Sequence, residues 1–163
     1  MSKSRKIRRK DRNDGEKTPR RLFVIDIENL CGKPVIEESD VKAVQRFVNE
    51  ALSLSTNDLV VIGTSHTNNF VSAGVAWKGV RQVFKPGHDG ADLALLAAIN
   101  EYNVETFEEI VIMSGDGIFA DAVDEIAARS VIVTVMSIGR CLSKKLGEAA
   151  SLVRFVDEAA IAA

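Results

Sequence analysis

RLFVIDIEN, residues 21–29, is the stretch whose reading decides the fold. Leu22 to Ile25 and then Ile27 are apolar, and Asp26 alone breaks the run. A short run rich in Phe, Val and Ile reads as a strand buried on both faces, as in a parallel sheet. A carboxylate inside such a strand is too costly unless it stands at the strand's end, near water or a cation. Open α/β sheets bind their ligands at the carboxyl ends of strands. Asp26, Glu28 and Asn29 therefore fall where such a sheet keeps its chemistry. The plainer alternative is that Asp26 caps the turn that follows.

Outward from this strand, apolar runs alternate with helical patterns. CGKPVIEES is a loop, since Gly32 and Pro34 interrupt regular structure. Ser39 or Asp40 can cap a helix whose Val41, Val44, Phe47, Val48, Ala51 and Leu52 follow three-and-four spacing to about Leu54. DLVVIGTS reads as a second strand, TNNFVSAGVAW as a short helix, and VRQVF (80–84) as a third, more polar strand at an edge. Gly87 and Gly90 form a loop before a helix with seven consecutive apolar residues, Leu93 to Ile99, and Asp92 in its first turn. EIVIMSGD repeats the first strand's design and closes on Asp116. A helix with Phe119, Ala122, Val123, Ile126 and Ala127 on one stripe follows. Then come the strand SVIVTVMS, the helix CLSKKLGEAA and a possible last short strand, VRFVD. Strands alternating with helices predict a three-layer α/β/α sandwich on a mostly parallel sheet of about five strands.

At 163 residues the chain is about one domain. It holds no apolar run long enough for a bilayer, and no signal-peptide core follows the basic start. Cys31 and Cys141 lack paired metal-ligand spacing and read as free thiols of a cytoplasmic protein. The net charge of −2 conceals an asymmetry: residues 1–21 carry +7 and the remainder −9. Residues 1–20, with Ile7 as their one apolar residue besides Met1 and Pro, predict a disordered basic tail before a domain at 21–163. Such an arm, Lys3 to Arg21, suits a phosphate backbone, and without aromatic residues its binding is blind to sequence.

Asp26 and Asp116 at strand ends, and Asp92 at a helix start, belong to one edge of such a sheet. Three converging acids repel one another unless a cation lies between them. Oxygen donors select hard ions such as Mg²⁺ or Mn²⁺, which take the rest of their shell from water and substrate phosphates. An ion held so polarises a phosphodiester and supplies a hydroxide nucleophile. Asn29 and Ser114 are suited to orient a carboxylate, a water or a phosphate oxygen. No GxxxxGK[ST] or GxGxxG motif is present. His66 and His88, the only histidines, are too few for a His-rich zinc site, and His88 beside Asp89 reads as an exposed loop residue. Lys85-Pro86 precedes Asp116, the wrong order for a receiver-type phosphoacceptor domain. Position 28 is Glu, where a haloacid dehalogenase needs Asp. Lys33, Lys85 and Arg140 are the folded part's candidates for facing substrate.

LFVIDIENL, GADLALLAAI and VIMSGDGIFADAV, in that order, resemble the NYN family of PIN-like ribonucleases over roughly residues 21–138. The resemblance implies an α/β/α fold and a metal-dependent phosphodiesterase acting on RNA. By position it makes Asp26, Asp92 and Asp116 ligands of Mg²⁺ or Mn²⁺, with Asn29 following the first acid. The departure lies at Ile118, where relatives often carry a further acid; Asp121 and Asp89 are the candidate substitutes. That gap leaves two readings besides the ribonuclease: a catalytically weak RNA-binding or adaptor module, and a nucleotide phosphohydrolase using the same acids.

Overall fold

The computed structural model describes residues 19–162; the expectation of a disordered basic tail at 1–20 concerns residues outside that range except at its end, where Arg20 O accepts from Glu108 N at 2.9 Å and the Arg20 guanidinium lies over the Phe107 ring. The described chain alternates strand and helix throughout. β1 (Arg21–Asp26) leads into a single helical turn, α1 (Ile27–Cys31), and then α2 (Glu38–Ala51). β2 (Leu59–Thr64), α3 (Thr67–Ala76), β3 (Arg81–Phe84) and α4 (Gly90–Glu101) follow. The second half runs β4 (Glu109–Met113), α5 (Ala120–Ala127), β5 (Ile132–Ser137), α6 (Lys144–Ala149) and β6 (Leu152–Phe155). All neighbouring strands are parallel, in the order β3-β2-β1-β4-β5-β6. The fold is the expected α/β sandwich, with six strands where about five were anticipated. The extra one is the VRFVD segment, and β3 is an edge strand as its polarity suggested.

β1 lies at the centre and is buried on both faces. Phe23 and Ile25 point to one side and Leu22 and Val24 to the other, each at most 1% exposed. The chain builds outward from β1 through β2 to β3, then crosses back to lay β4 on the opposite side of β1. Parallel crossovers are right-handed, so reversing the direction of growth moves the helices to the other face. α1, α2 and α3 accordingly pack with Phe23, Ile25 and Ile62. Residues of α4, α5 and α6 pack with Leu22, Val24, Ile110 and Ile112. The reversal between β1 and β4 makes their carboxyl ends the topological switch point, the place where ligands enter such sheets.

Two local readings need correction. CGKPVIEES is not a loop from Cys31 onward: α1 occupies residues 27–31 and ends at Gly32, whose φ of +66° allows the left-handed cap. α2 begins one residue before Ser39, capped by Glu37 with reciprocal bonding from Asp40, and stops at Ala51. No helix among the described residues is long and apolar enough to cross a membrane.

Candidate functional site

Asp26 closes β1 and at the same time caps α1: its Oδ1 accepts from Asn29 N at 3.1 Å. The capping alternative therefore holds, and because a cap uses one carboxylate oxygen only, it does not exclude the site reading. Its Oδ2 faces the Ser114 hydroxyl at 3.5 Å, the outer limit of a hydrogen bond. β4 supplies the other wall. Gly115 N donates to Asn29 Oδ1 at 3.1 Å, Asp116 N to Ser114 Oγ at 3.2 Å, and Ile118 N to Asp116 Oδ1 at 2.9 Å. Asn29 and Ser114 therefore tie the exit of β4 to α1. Gly115 is required there, since a Cβ would stand 2.2 Å from Cys141 O.

α4 brings Asp92 against Asp26. Its start is fixed by Gly90, where a Cβ would lie 1.8 Å from Lys85 O, so α4 presses directly on the exit of β3. Asp26 is 4% exposed and Asp92 6%. The two carboxyls lie close enough to influence each other's protonation. Burial, then the neighbouring Asp92 carboxyl, pushes Asp26 well above the ordinary carboxylate range. Asp92 is raised too, by burial and then by the charges of Asp116, Asp89 and Glu28, with the interaction with Asp26 working against the rise. Its Oδ1 is buried without a hydrogen-bond donor. Two carboxyls in this state hold a proton between them or a cation; they do not both stay ionised and bare.

The structure thus brings Asp26, Asp92, Asn29 and Ser114 together. Asp116 acts on Asp92 through its charge, while one of its oxygens caps the turn at Ile118. Among the described residues, no group of three or more His, Cys, Asp or Glu side chains is arranged to hold a metal ion. Asp26 and Asp92 could hold a hard cation by their two unshared oxygens, and water or substrate would have to complete its shell. Ile118 is half-buried and packs on the α4–α5 side of the core. Asp121 forms an ion pair with Lys145 at 2.8 Å, and Asp89 pairs with His88 at 2.6 Å in an exposed loop. Of the expected cations, Lys33 is bound to Asp40 at 2.7 Å and Arg140 to Glu158. Lys85 is exposed and forms no ion pair among the described residues.

Glu28 is the residue at this edge of the sheet whose role the sequence left open. Its carboxylate accepts from Ser65 N (2.9 Å), Ser65 Oγ (2.6 Å) and Asn69 Nδ2 (2.7 Å). Burial works against its charge, but these hydrogen bonds outweigh it and hold Glu28 below its usual range. Asn69, fully buried, also donates to Pro34 O and accepts from Ile36 N, so it secures the loop between α1 and α2. The permanent charge on Glu28 in turn raises both Asp26 and Asp92. The register that pairs Asp26 with Gly63 places Ser65 beside Glu28, and only the folded sheet reveals it.

A cavity of about 580 Å³ lies between α1 and the C-terminal turn, lined by Cys31, Lys33, Asp40, Ile138, Arg140 and Glu158. Its charged walls are already paired with one another. Burial and Asp40 push the Cys31 thiol up to about 12, so it stays protonated and unreactive.

No family model matches this chain, and no curated protein does. Among solved structures it is similar to a protein of unknown function from Vibrio parahaemolyticus, with a TM-score of 0.57 and 19% identity. The similarity covers 85% of this chain and 93% of that one, and it shows a shared α/β fold.

Proposed function

We propose that the protein is a Mg²⁺- or Mn²⁺-dependent ribonuclease of the NYN/PIN-like type, acting in the cytoplasm. The observation that carries the reading is the buried Asp26–Asp92 pair at the β1/β4 switch point, with an unpartnered Asp92 oxygen. An acid pair this costly calls for a compensating cation, and all-oxygen donors suit a hard one. Asp26 and Asp92 would hold the ion, with Asp116 adding negative charge at the rim. Bound there, the ion would neutralise phosphate charge and activate water for hydrolysis of a phosphodiester. Asn29 and Ser114 keep Asp26 oriented, and Glu28, ionised by its hydrogen bonds, deepens the negative potential that attracts the cation.

RNA as the substrate rests on the motif resemblance and on the basic residues that begin at Lys3; Arg21, counted with that arm by sequence, instead opens β1 and is ion-paired with Asp58 at 2.7 Å. Those basic residues carry the positive charge that a polyanion needs in order to approach an otherwise acidic domain. The second reading, an RNA-binding or adaptor module with weak or no catalysis, is favoured by Ile118, where a further acid would complete the ligand set. Single-stranded and structured RNA incubated with purified protein, in Mn²⁺ and in EDTA, separates the two. The ribonuclease cuts only with the ion, whereas the adaptor retains RNA in both buffers and leaves it whole.

A further inference from the structure

On the face of the sheet opposite Asp26 and Asp92, α3 presents a surface that the fold does not cover. From Thr67 to Ala76 the helix carries no charged residue, although the domain around it is acidic. Asn69 and Ala73 are fully buried, while Phe70, Val71, Gly74 and Val75 are exposed. Two neighbours widen this stripe. Phe84, at the end of β3, meets Phe70 edge-to-face with ring centroids 5.8 Å apart. Val35 stands in the loop that Asn69 fastens, by donating to Pro34 O at 2.9 Å and accepting from Ile36 N at 3.0 Å. Nine large apolar side chains are exposed among the described residues, and five of them, from 38% to 60% exposed, gather around this one helix. Scattered exposed apolar side chains are ordinary; a contiguous group of this size marks a contact surface.

We propose that this face joins two copies of the chain about a two-fold axis that sets α3 antiparallel to its counterpart. The proposal is independent of the ribonuclease reading. The area suits it. Covering the five side chains removes roughly 400 Å² of apolar surface per copy from water. With a polar rim of Thr67, Asn68, Lys78 and Glu37, the face approaches the roughly 800 Å² per partner of a stable interface, apolar at its centre and polar at its edge. Shape suits it too, since a two-fold contact must be self-complementary. An axis through the middle of the stripe puts Val71 of each copy opposite Gly74 of the other, and Phe70 opposite Val75. No heavy atom stands within 4 Å of where a Gly74 Cβ would be, so that position is a hollow for the opposing Val71. Charge gives the third reason for a second copy. Two acidic domains repel, and a helix without charge is where they approach at least cost. The same axis carries Lys78, exposed just beyond α3 and without an ion pair among the described residues, to the Val35 loop of the other copy, where exposed Glu37 follows Ile36.

The test is sedimentation equilibrium of the full chain across the micromolar range, in EDTA and without RNA. Parent, Phe70→Lys, Val75→Glu, Val71→Glu and an equimolar mixture of Phe70→Lys with Val75→Glu are compared. All three positions are exposed, and circular dichroism first confirms that each variant is folded. The parent sediments as a dimer. Each variant alone falls to the monomer mass, because a charge is pressed against an apolar side chain of the other copy. The mixture returns to the dimer mass, because the introduced ammonium then faces the introduced carboxylate. A parent that stays monomeric throughout the range overturns the proposal. So does a dimer that survives all three substitutions, which would place the contact on another surface. Monomeric variants that fail to pair on mixing overturn the antiparallel two-fold and with it the proposal as stated.

Discussion

Replacing Asp26 with Asn should stabilise the metal-free protein while abolishing its response to the ion. Asn is nearly isosteric, so its Oδ1 can still accept from Asn29 N and keep the cap on α1. Its Nδ2 gives the Asp92 carboxyl, whose Oδ1 is buried without a donor, a permanent donor in place of the one titratable proton that the two acids must share. Satisfying a buried acceptor recovers about 1–3 kcal/mol. Against this stands the Ser114 hydroxyl, which loses a carboxylate acceptor at 3.5 Å, a contact already too long to be worth much. The net gain at neutral pH is about 2 kcal/mol, a rise in melting temperature of roughly 4–8 °C for a domain of this size. Thermal unfolding in EDTA, then in millimolar Mn²⁺, reads both halves of the prediction. The parent should gain in Mn²⁺ and the variant should not. A variant that melts below the parent in EDTA would mean that Asp26 serves the fold as a cap or hydrogen-bonding centre, and that no charge conflict exists to be relieved.

Four further outcomes follow from the same geometry. The raised Asp26–Asp92 pair contributes stability that is complete below the ordinary carboxyl range, about 3.9, and lost as pH rises through its elevated values. Glu28, held low, loses its contribution only as pH falls below about 4.3. In EDTA the parent should therefore be more stable at pH 5 than at pH 7 by urea titration, and Asp26→Asn should flatten that difference. Asn69→Ala removes bonds to Glu28, Pro34 and Ile36 from a fully buried site, and chemical denaturation should show a loss of about 3 kcal/mol. Gly90→Ala drives a Cβ into Lys85 O and shifts the start of α4. It should cost at least about 2 kcal/mol and weaken Mn²⁺ binding by calorimetry, because Asp92 moves with the helix. Ile118→Asp places a charge where the side chain packs on the core, so its melting temperature should fall and Mn²⁺ should not restore it. A metal-induced rise larger than the parent's would instead mean that position 118 is a missing ligand.

What could be read from the sequence was whatever depends on local pattern. The unbroken run Leu22–Ile25 ending in Asp26 implied a doubly buried strand, and the repetition of that design before Asp116 implied a second one; that the two lie side by side at the centre came only with the folded sheet. The apolar run after Asp92 implied the covering helix. α1 escaped notice because a five-residue turn has no periodicity to display; its signals were only a cap at Asp26 and a left-handed Gly32. The fates of Lys33 and Arg140 were equally hidden. Each is claimed by a carboxylate, Asp40 across the α1–α2 loop or Glu158 from the C-terminal turn, that becomes its neighbour only in the folded chain. Glu28 shows the same limit within the site. Nothing in its local sequence announces Ser65 and Asn69, which arrive from the far end of β2 and from α3.

The most direct measurement is cleavage of an end-labelled RNA containing single-stranded and hairpin segments by the parent, Asp26→Asn, Asp92→Asn and Asp116→Asn. The four proteins are purified identically and assayed in Mn²⁺ and in EDTA, with folding confirmed by circular dichroism. The account predicts Mn²⁺-dependent products from the parent, and none from Asp26→Asn or Asp92→Asn. Asp116→Asn should be strongly impaired as well. Intact RNA in every lane, products that persist in EDTA, or undiminished cutting by Asp26→Asn would contradict it.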